Sequence, residues 1–276
     1  MSKQFIPLKD GKIAYQIYGQ GQPTLILFHG LIGSSWLSDE WVEAIEQADV
    51  RCIVLERPGY GDSSIFSIDC VADWNIIFAQ VISALKIQSA IAVGCSAGAV
   101  YAYATAFAFP DIITHVWVLD GVPAVFLETV IRHYSRDDQI TYNRFLVRPI
   151  AEIQDDYATW LKVFSEQQSD NPYMLNILND AHANHYIGMA RDSQLQSRPW
   201  WFDISAMHQP VTLWHAENDA MVPHSAAQEM TQVLANSTLV TAKDLGALSE
   251  QTIHSESISK GFLHLLKHLQ DYGEVD

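Results

Sequence analysis

The sequence has no apolar run approaching the roughly 20 residues that a bilayer-spanning helix needs, which excludes a helical membrane protein. It is also short of positive charge: 16 lysines and arginines stand against 32 acidic residues, a formal charge of −16. Such a surface repels phosphate backbones and anionic lipid headgroups, so neither nucleic acid nor a membrane is expected as a partner. Cysteine is scarce. Cys52, Cys70 and Cys95 have no metal-ligand spacing, and their odd number argues against a disulfide framework. Met1 to Pro7 contains no apolar signal core, and the expected location is cytoplasmic. Internal repeats and low-complexity tracts are absent from the sequence. What remains is 276 residues with 49% apolar and 17% charged content, enough for one large core or a core with an insertion.

Period-two alternation on either side of Asp10-Gly11 predicts a hairpin from Phe5–Leu8 and Lys12–Tyr18. Thr24–Phe28 and Val50–Leu55 read as buried strands, each running into a turn-rich loop: His29-Gly30-Leu31-Ile32-Gly33 after the first, Arg57-Pro58-Gly59-Tyr60-Gly61-Asp62-Ser63 after the second. Helical spacing is expected from Trp36 to Ala48 and again after Ser67, the expected cap of a helix on which Val71, Trp74, Phe78, Val81, Ile82 and Leu85 share a face. Further strands are predicted at Ala90–Gly94, Thr114–Leu119, Val211–Trp214 and Leu239–Ala242, with helices near 224–235 and 249–269. This alternation implies an α/β fold whose central sheet is mostly parallel, with helices on both faces. Between Gly121 and His208 the pattern is helical and aromatic-rich, a lid insertion dividing the core into residues 1–120 and 209–276.

The chemistry centres on Gly94-Cys95-Ser96-Ala97-Gly98, where a strand stops and an alanine-rich helix begins. A strand turning directly into a helix brings the flanking backbones so close that only small residues fit, and the residue at the tip is strained and exposed. Ser96 is the candidate nucleophile. Cys95 should face the packing instead, because adjacent strand residues point to opposite sides.

With the Gly30 loop, the Arg57 to Ser63 loop and this elbow in order, the chain resembles the α/β-hydrolase fold superfamily over nearly its whole length. The resemblance implies a serine hydrolase of esterase type that needs no cofactor and takes a small, largely apolar ester-like substrate. It further implies an oxyanion hole from the Leu31 and Ala97 N–H groups. Asp219, in the segment Trp214 to Pro223, is the implied acid, with Asp120 next and Glu217 third. His29 reads as structural.

The base is where the sequence departs from the family pattern. The expected slot, just after a glycine in the loop before the last helix, reads Lys243-Asp244-Leu245-Gly246-Ala247-Leu248-Ser249, so Ala247 stands where the histidine belongs. His254 lies seven residues further, about 10 Å along a helix at 1.5 Å per residue. It, His215 and His185 are the alternatives. If none reaches Ser96, the chain is either a crippled hydrolase or a protein that binds a small molecule without turning it over. A lyase or cofactor-free oxygenase on the same scaffold is a third option. Twelve aromatic residues of the lid, from Phe126 to Phe202, are expected to form mostly lid core and in part an apolar pocket.

Overall fold

In the computed structural model, the structure describes residues 2–167, 171–243, 245 and 249–273. An eight-stranded sheet runs through the molecule in the order β1-β2-β4-β3-β5-β6-β7-β8. The strands are β1 (Gln4–Leu8), β2 (Gly11–Tyr18), β3 (Thr24–Phe28), β4 (Arg51–Leu55), β5 (Ala90–Cys95), β6 (Ile113–Leu119), β7 (Val211–Ala216) and β8 (Ser237–Ala242). The β1–β2 and β2–β4 pairs are antiparallel, and every other pair is parallel. The strand alternation therefore gave the sheet correctly, including the opening hairpin.

Every residue of β3 and β5 is buried, as strands covered on both faces must be. Their alternate side chains divide between two cores. Ile26, Phe28, Ala90 and Ala92 pack with Trp74, Phe78 and Tyr101 from α2 (Trp74–Leu85) and α3 (Ala99–Ala108). Leu25, Leu27, Ile91, Val93 and Cys95 pack on the opposite face, with Ile45 of α1 (Asp39–Gln47) and with Phe262, Leu265 and Leu266 of α10 (Glu250–Gly273).

Two helix starts differ from expectation. Helix α1 begins at Asp39 rather than Trp36, because the Ser38 side chain caps it by accepting from the Trp41 N–H, which leaves Trp36 and Leu37 in the loop. Ser67 does not cap α2. A 3₁₀ turn, Val71–Asp73, precedes that helix, and the Asp73 carboxylate accepts from the N–H groups of Asp69 and Cys70.

Between β6 and β7 the chain forms α4 (Glu128–Ile131), α5 (Arg136–Phe145), α6 (Ile150–Gln167), α7 (Pro172–Ala183) and α8 (Ile187–Ser197). Two cations, the partly buried Lys3 and the fully buried Arg57, tie the last two of these helices to the core. Lys3 Nζ lies 2.8 Å from Asp180 on α7 and 2.9 Å from the buried Glu56. Arg57 meets Asp192 on α8 at 2.7 Å, both side chains out of solvent. Helix α9 (His224–Val233) links β7 to β8. Among the described residues no helix is long and apolar enough to cross a membrane.

Candidate active site

The strand-to-helix turn at the end of β5 is built as the glycines require. A Cβ on Gly94 would lie 2.6 Å from Ala99 Cα, and one on Gly98 would lie 2.0 Å from the Phe28 carbonyl oxygen. Between them Ser96 has φ of 48°, in the left-handed region that L-residues rarely adopt. The following 3₁₀ turn, Ser96–Gly98, leads straight into α3. Helix starts leave their first N–H groups without intrahelical acceptors, which is where Ala97 sits. Gly30 comes alongside: a Cβ added there would be only 3.6 Å from Ser96 Cβ, so the loop carrying Leu31 stands directly beside the serine. Cys95 points away into the α1/α10 core, and burial pushes its thiol up to about 12.

At the end of β7, Asp219 is buried and its carboxylate is fully used. Its Oδ1 accepts from the N–H groups of Met221 at 2.9 Å and Val222 at 3.1 Å, and its Oδ2 lies 2.6 Å from His254 Nδ1. Burial alone would raise this carboxyl, but the hydrogen bond and charge of His254, with the Val222 N–H and His215, outweigh it and hold the pKa below the ordinary value. His254 Nε2 is also buried and has no hydrogen-bond partner among the described residues.

The imidazole beside the acid thus belongs to His254, which the sequence placed about 10 Å along a helix from position 247. Helix α10 instead begins at Glu250, capped by the Ser249 hydroxyl, which accepts from the Thr252 N–H. Ile253 packs with Ala216 and Leu245, setting the first turn of α10 against the end of β7. Helical side chains lean toward their own N-terminus, so His254 reaches back over that turn to Asp219. Ala247 lies outside the described residues.

Ser96 and His254 line the same cavity, of about 420 Å³, together with Leu31, Ile32, Trp160, Phe164, Met174 and Met221. Among the described residues Ser96 Oγ makes no hydrogen bond, so it and the free Nε2 face one pocket without a direct contact. Such contacts commonly tighten only when substrate binds. Of the twelve lid aromatics, Trp160 and Phe164 reach this cavity. Trp200 shows the alternative fate: fully buried, it stacks on Tyr103 with ring centres 5.7 Å apart.

The other candidates are placed elsewhere. His215 Nε2 donates to the Val222 carbonyl at 2.7 Å, and burial drives its pKa down to about 4, leaving it a neutral prop of the acid loop. His185 is an exposed residue of the turn before α8. Glu217 is also exposed. Asp120 lies inside the cluster: one polar atom each from Asp120, Asp219 and His254 fall within 4.8 Å of one another. Its Oδ1 accepts from the Ala216 N–H at 2.8 Å, and burial raises its pKa to about 7 although that N–H opposes the shift.

Behind the site lies a buried network of which the sequence showed Arg57 and Tyr60, in the Arg57 to Ser63 loop, but not Asp192 or Tyr101. Arg57 donates to the Asp192 carboxylate through Nε at 3.0 Å and Nη2 at 2.7 Å. The same carboxylate accepts from the Tyr60 hydroxyl at 2.9 Å and the Tyr101 hydroxyl at 2.5 Å. Arg57 also donates to the carbonyls of His29 and of Gly30, the latter at 3.1 Å. The loop beside Ser96 is therefore held by an arginine whose charge is balanced from α8. His29, desolvated and next to Arg57, has its pKa driven well below the usual range and is neutral packing, as expected for a structural residue.

Known proteins resemble this chain in sequence and in fold. A pimeloyl-[acyl-carrier protein] methyl ester esterase from Nitrosomonas europaea is 25% identical over 238 residues, covering 79% of this chain and 86% of that one. An esterase from Exiguobacterium antarcticum superposes with a TM-score of 0.72 at 17% identity, covering 98% of this chain and all of the other. An enol-lactonase from Burkholderia xenovorans does so with a TM-score of 0.67 at 15% identity, over 96% of this chain and 99% of the other. The sequence pattern of the α/β hydrolase fold matches residues 23–249, stopping just short of His254, and the chain belongs to that family.

Proposed function

We propose that this protein is a serine ester hydrolase with an intact triad of Ser96, His254 and Asp219, not one crippled at position 247. The observation that carries the reading is the 2.6 Å contact between His254 Nδ1 and Asp219 Oδ2, which leaves Nε2 free in the cavity that Ser96 lines. The acid fixes the tautomer and orientation of the imidazole. Ser96 Oγ attacks the ester carbonyl as its proton passes to His254 Nε2. The Leu31 and Ala97 N–H groups receive the oxyanion, each such donor being worth about 3–4 kcal/mol at the transition state. His254 then gives the proton to the departing alkoxide, and water, activated by the same nitrogen, releases the acid from Ser96. The helical insertion acts as the lid of the pocket.

The substrate is a small, largely apolar ester, as the leucine, isoleucine, methionine and aromatic lining suggests. The esterase name of the Nitrosomonas relative supports the reaction class. Hydrolysis of p-nitrophenyl acetate by the purified protein tests the reading. Turnover should be lost in Ser96→Ala and fall by about 10⁶ in His254→Ala, the cost of losing the histidine from a working triad. Wild-type protein that binds esters but never turns them over would instead support a non-catalytic binder.

A further inference from the structure

The cavity at Ser96 does not end at the triad. Met174 of α7 and Ser255 and Ile258 of α10 line it and also line a second chamber of about 220 Å³ on the other side of the Gly30 loop. This chamber is walled by Trp36, Leu37, Trp41 and Tyr173, with Leu27 and Cys95 at the sheet end. Trp36, Leu37, Ser38 and Tyr173 in turn border a more open cleft of about 540 Å³, whose rim carries Gln16, Asn171 and Asn176. The three spaces therefore lie side by side with shared walls, from the serine past α10 to the Trp36 loop.

The walls suit an apolar guest. The Trp36 indole N–H donates to Asp180 at 3.1 Å and that of Trp41 to Ser259 at 2.9 Å, so both polar ends are occupied elsewhere. Trp41 is held by stacking on Phe262 with ring centres 4.1 Å apart. Burial keeps the Tyr173 hydroxyl and the Cys95 thiol protonated, each raised to about 12. The chamber arises because Ser38 caps α1 late, leaving Trp36 and Leu37 in the loop where they face α7 and α10.

We propose that this chamber is a subsite for a medium-length apolar chain of the ester, entered from Ser96 between Met174 and Ile258. The proposal rests on the hydrolase reading above and adds the substrate class to it. Each methylene that enters is worth about a fourfold gain, from roughly 0.8 kcal/mol per buried CH₂.

The test is a chain-length series of p-nitrophenyl esters, acetate to decanoate, beside a series of n-alkyl acetates; the first lengthens the acyl side and the second the alcohol side. In one series or the other, kcat/KM should rise at least 30-fold from the two-carbon to the eight-carbon member. Ile258→Trp and Met174→Trp narrow the neck from opposite walls, and each should cut that ratio below 3 within the same preparation, where any general loss of activity cancels. Flat or falling profiles in both series, with acetate still hydrolysed through Ser96, overturn the subsite and leave the hydrolase reading standing. If acetate is not hydrolysed at all, the hydrolase reading fails, and the chamber is judged by calorimetric titration of the Ser96→Ala protein with octanamide and acetamide. Octanamide binding at least 30-fold tighter, and lost in the Ser96→Ala protein carrying Ile258→Trp or Met174→Trp, upholds it. Equal affinities overturn it.

Discussion

Replacing Asp192 by alanine should be the most damaging single change outside the proposed triad. The substitution leaves the Arg57 guanidinium, fully buried, without its counter-charge, and strips the Tyr60 and Tyr101 hydroxyls of their acceptor. The guanidinium does not escape by losing its proton, because arginine stays charged at neutral pH even without the Asp192 carboxylate that supports its charge in the wild type. Breaking a buried pair from one side costs about 3–5 kcal/mol, a large share of the roughly 5–15 kcal/mol that holds a typical domain together. At about 2–4 °C per kcal/mol for larger domains, the melting temperature should fall by roughly 10 °C. Because Arg57 also holds the His29 and Gly30 carbonyls, kcat on a short ester should drop more than KM rises. Urea unfolding followed by circular dichroism, with steady-state kinetics at a temperature where the variant stays folded, reads both effects. Removing both partners together as Arg57→Met with Asp192→Leu should restore much of the stability without restoring kcat, since the stranded charge is gone while the loop remains unheld. A loss under 1 kcal/mol in Asp192→Ala would mean that this pair does not bear the load between α8 and the Gly30 loop.

Three further outcomes follow from the same structure. Gly98→Ala places a Cβ 2.0 Å from the Phe28 carbonyl, so the elbow must shift; ester hydrolysis should fall at least 100-fold, checked by activity beside a thermal melt that shows the fold persists. Ala247→His should leave hydrolysis within about threefold of wild type in the same ester assay, because Asp219 already holds His254; a gain of 100-fold would mean that the base belongs at 247. Asp120 has its pKa raised by burial to about 7, so the folded state keeps a proton that the unfolded chain releases near pH 4; its contribution to stability is present below that pH and is lost as pH rises from about 4 through about 7. Asp120→Asn, which cannot ionise, should remove that loss, so that the variant gains stability relative to wild type between pH 4 and 7 in denaturant titrations.

Local chemistry made most of the framework legible in the sequence. Strand alternation marked the hairpin, apolar runs marked the buried strands, and Gly94 and Gly98 announced a turn that no larger residue allows. These signals lie within a few residues of what they specify. The loop of Arg57 was equally visible, but its partner was not: Asp192 is 135 residues away, on a helix whose sequence alone gave no sign that its carboxylate would be buried. The chamber beyond Met174 escaped for a similar reason, since its walls come from the Trp36 loop, α1, α7 and α10.

The sequence by itself determined the fold class and the mounting of Ser96, because the alternation of strands and helices follows from periodicity and the elbow from side-chain size. Which histidine serves Asp219 was decided only in three dimensions. Spacing from the acid pointed to Ala247, but the angle at which α10 meets β7, fixed by Ile253 against Ala216 and Leu245, brings His254 to the carboxylate instead. Distance along the chain counts residues, while a hydrogen bond depends on where packed elements set their side chains.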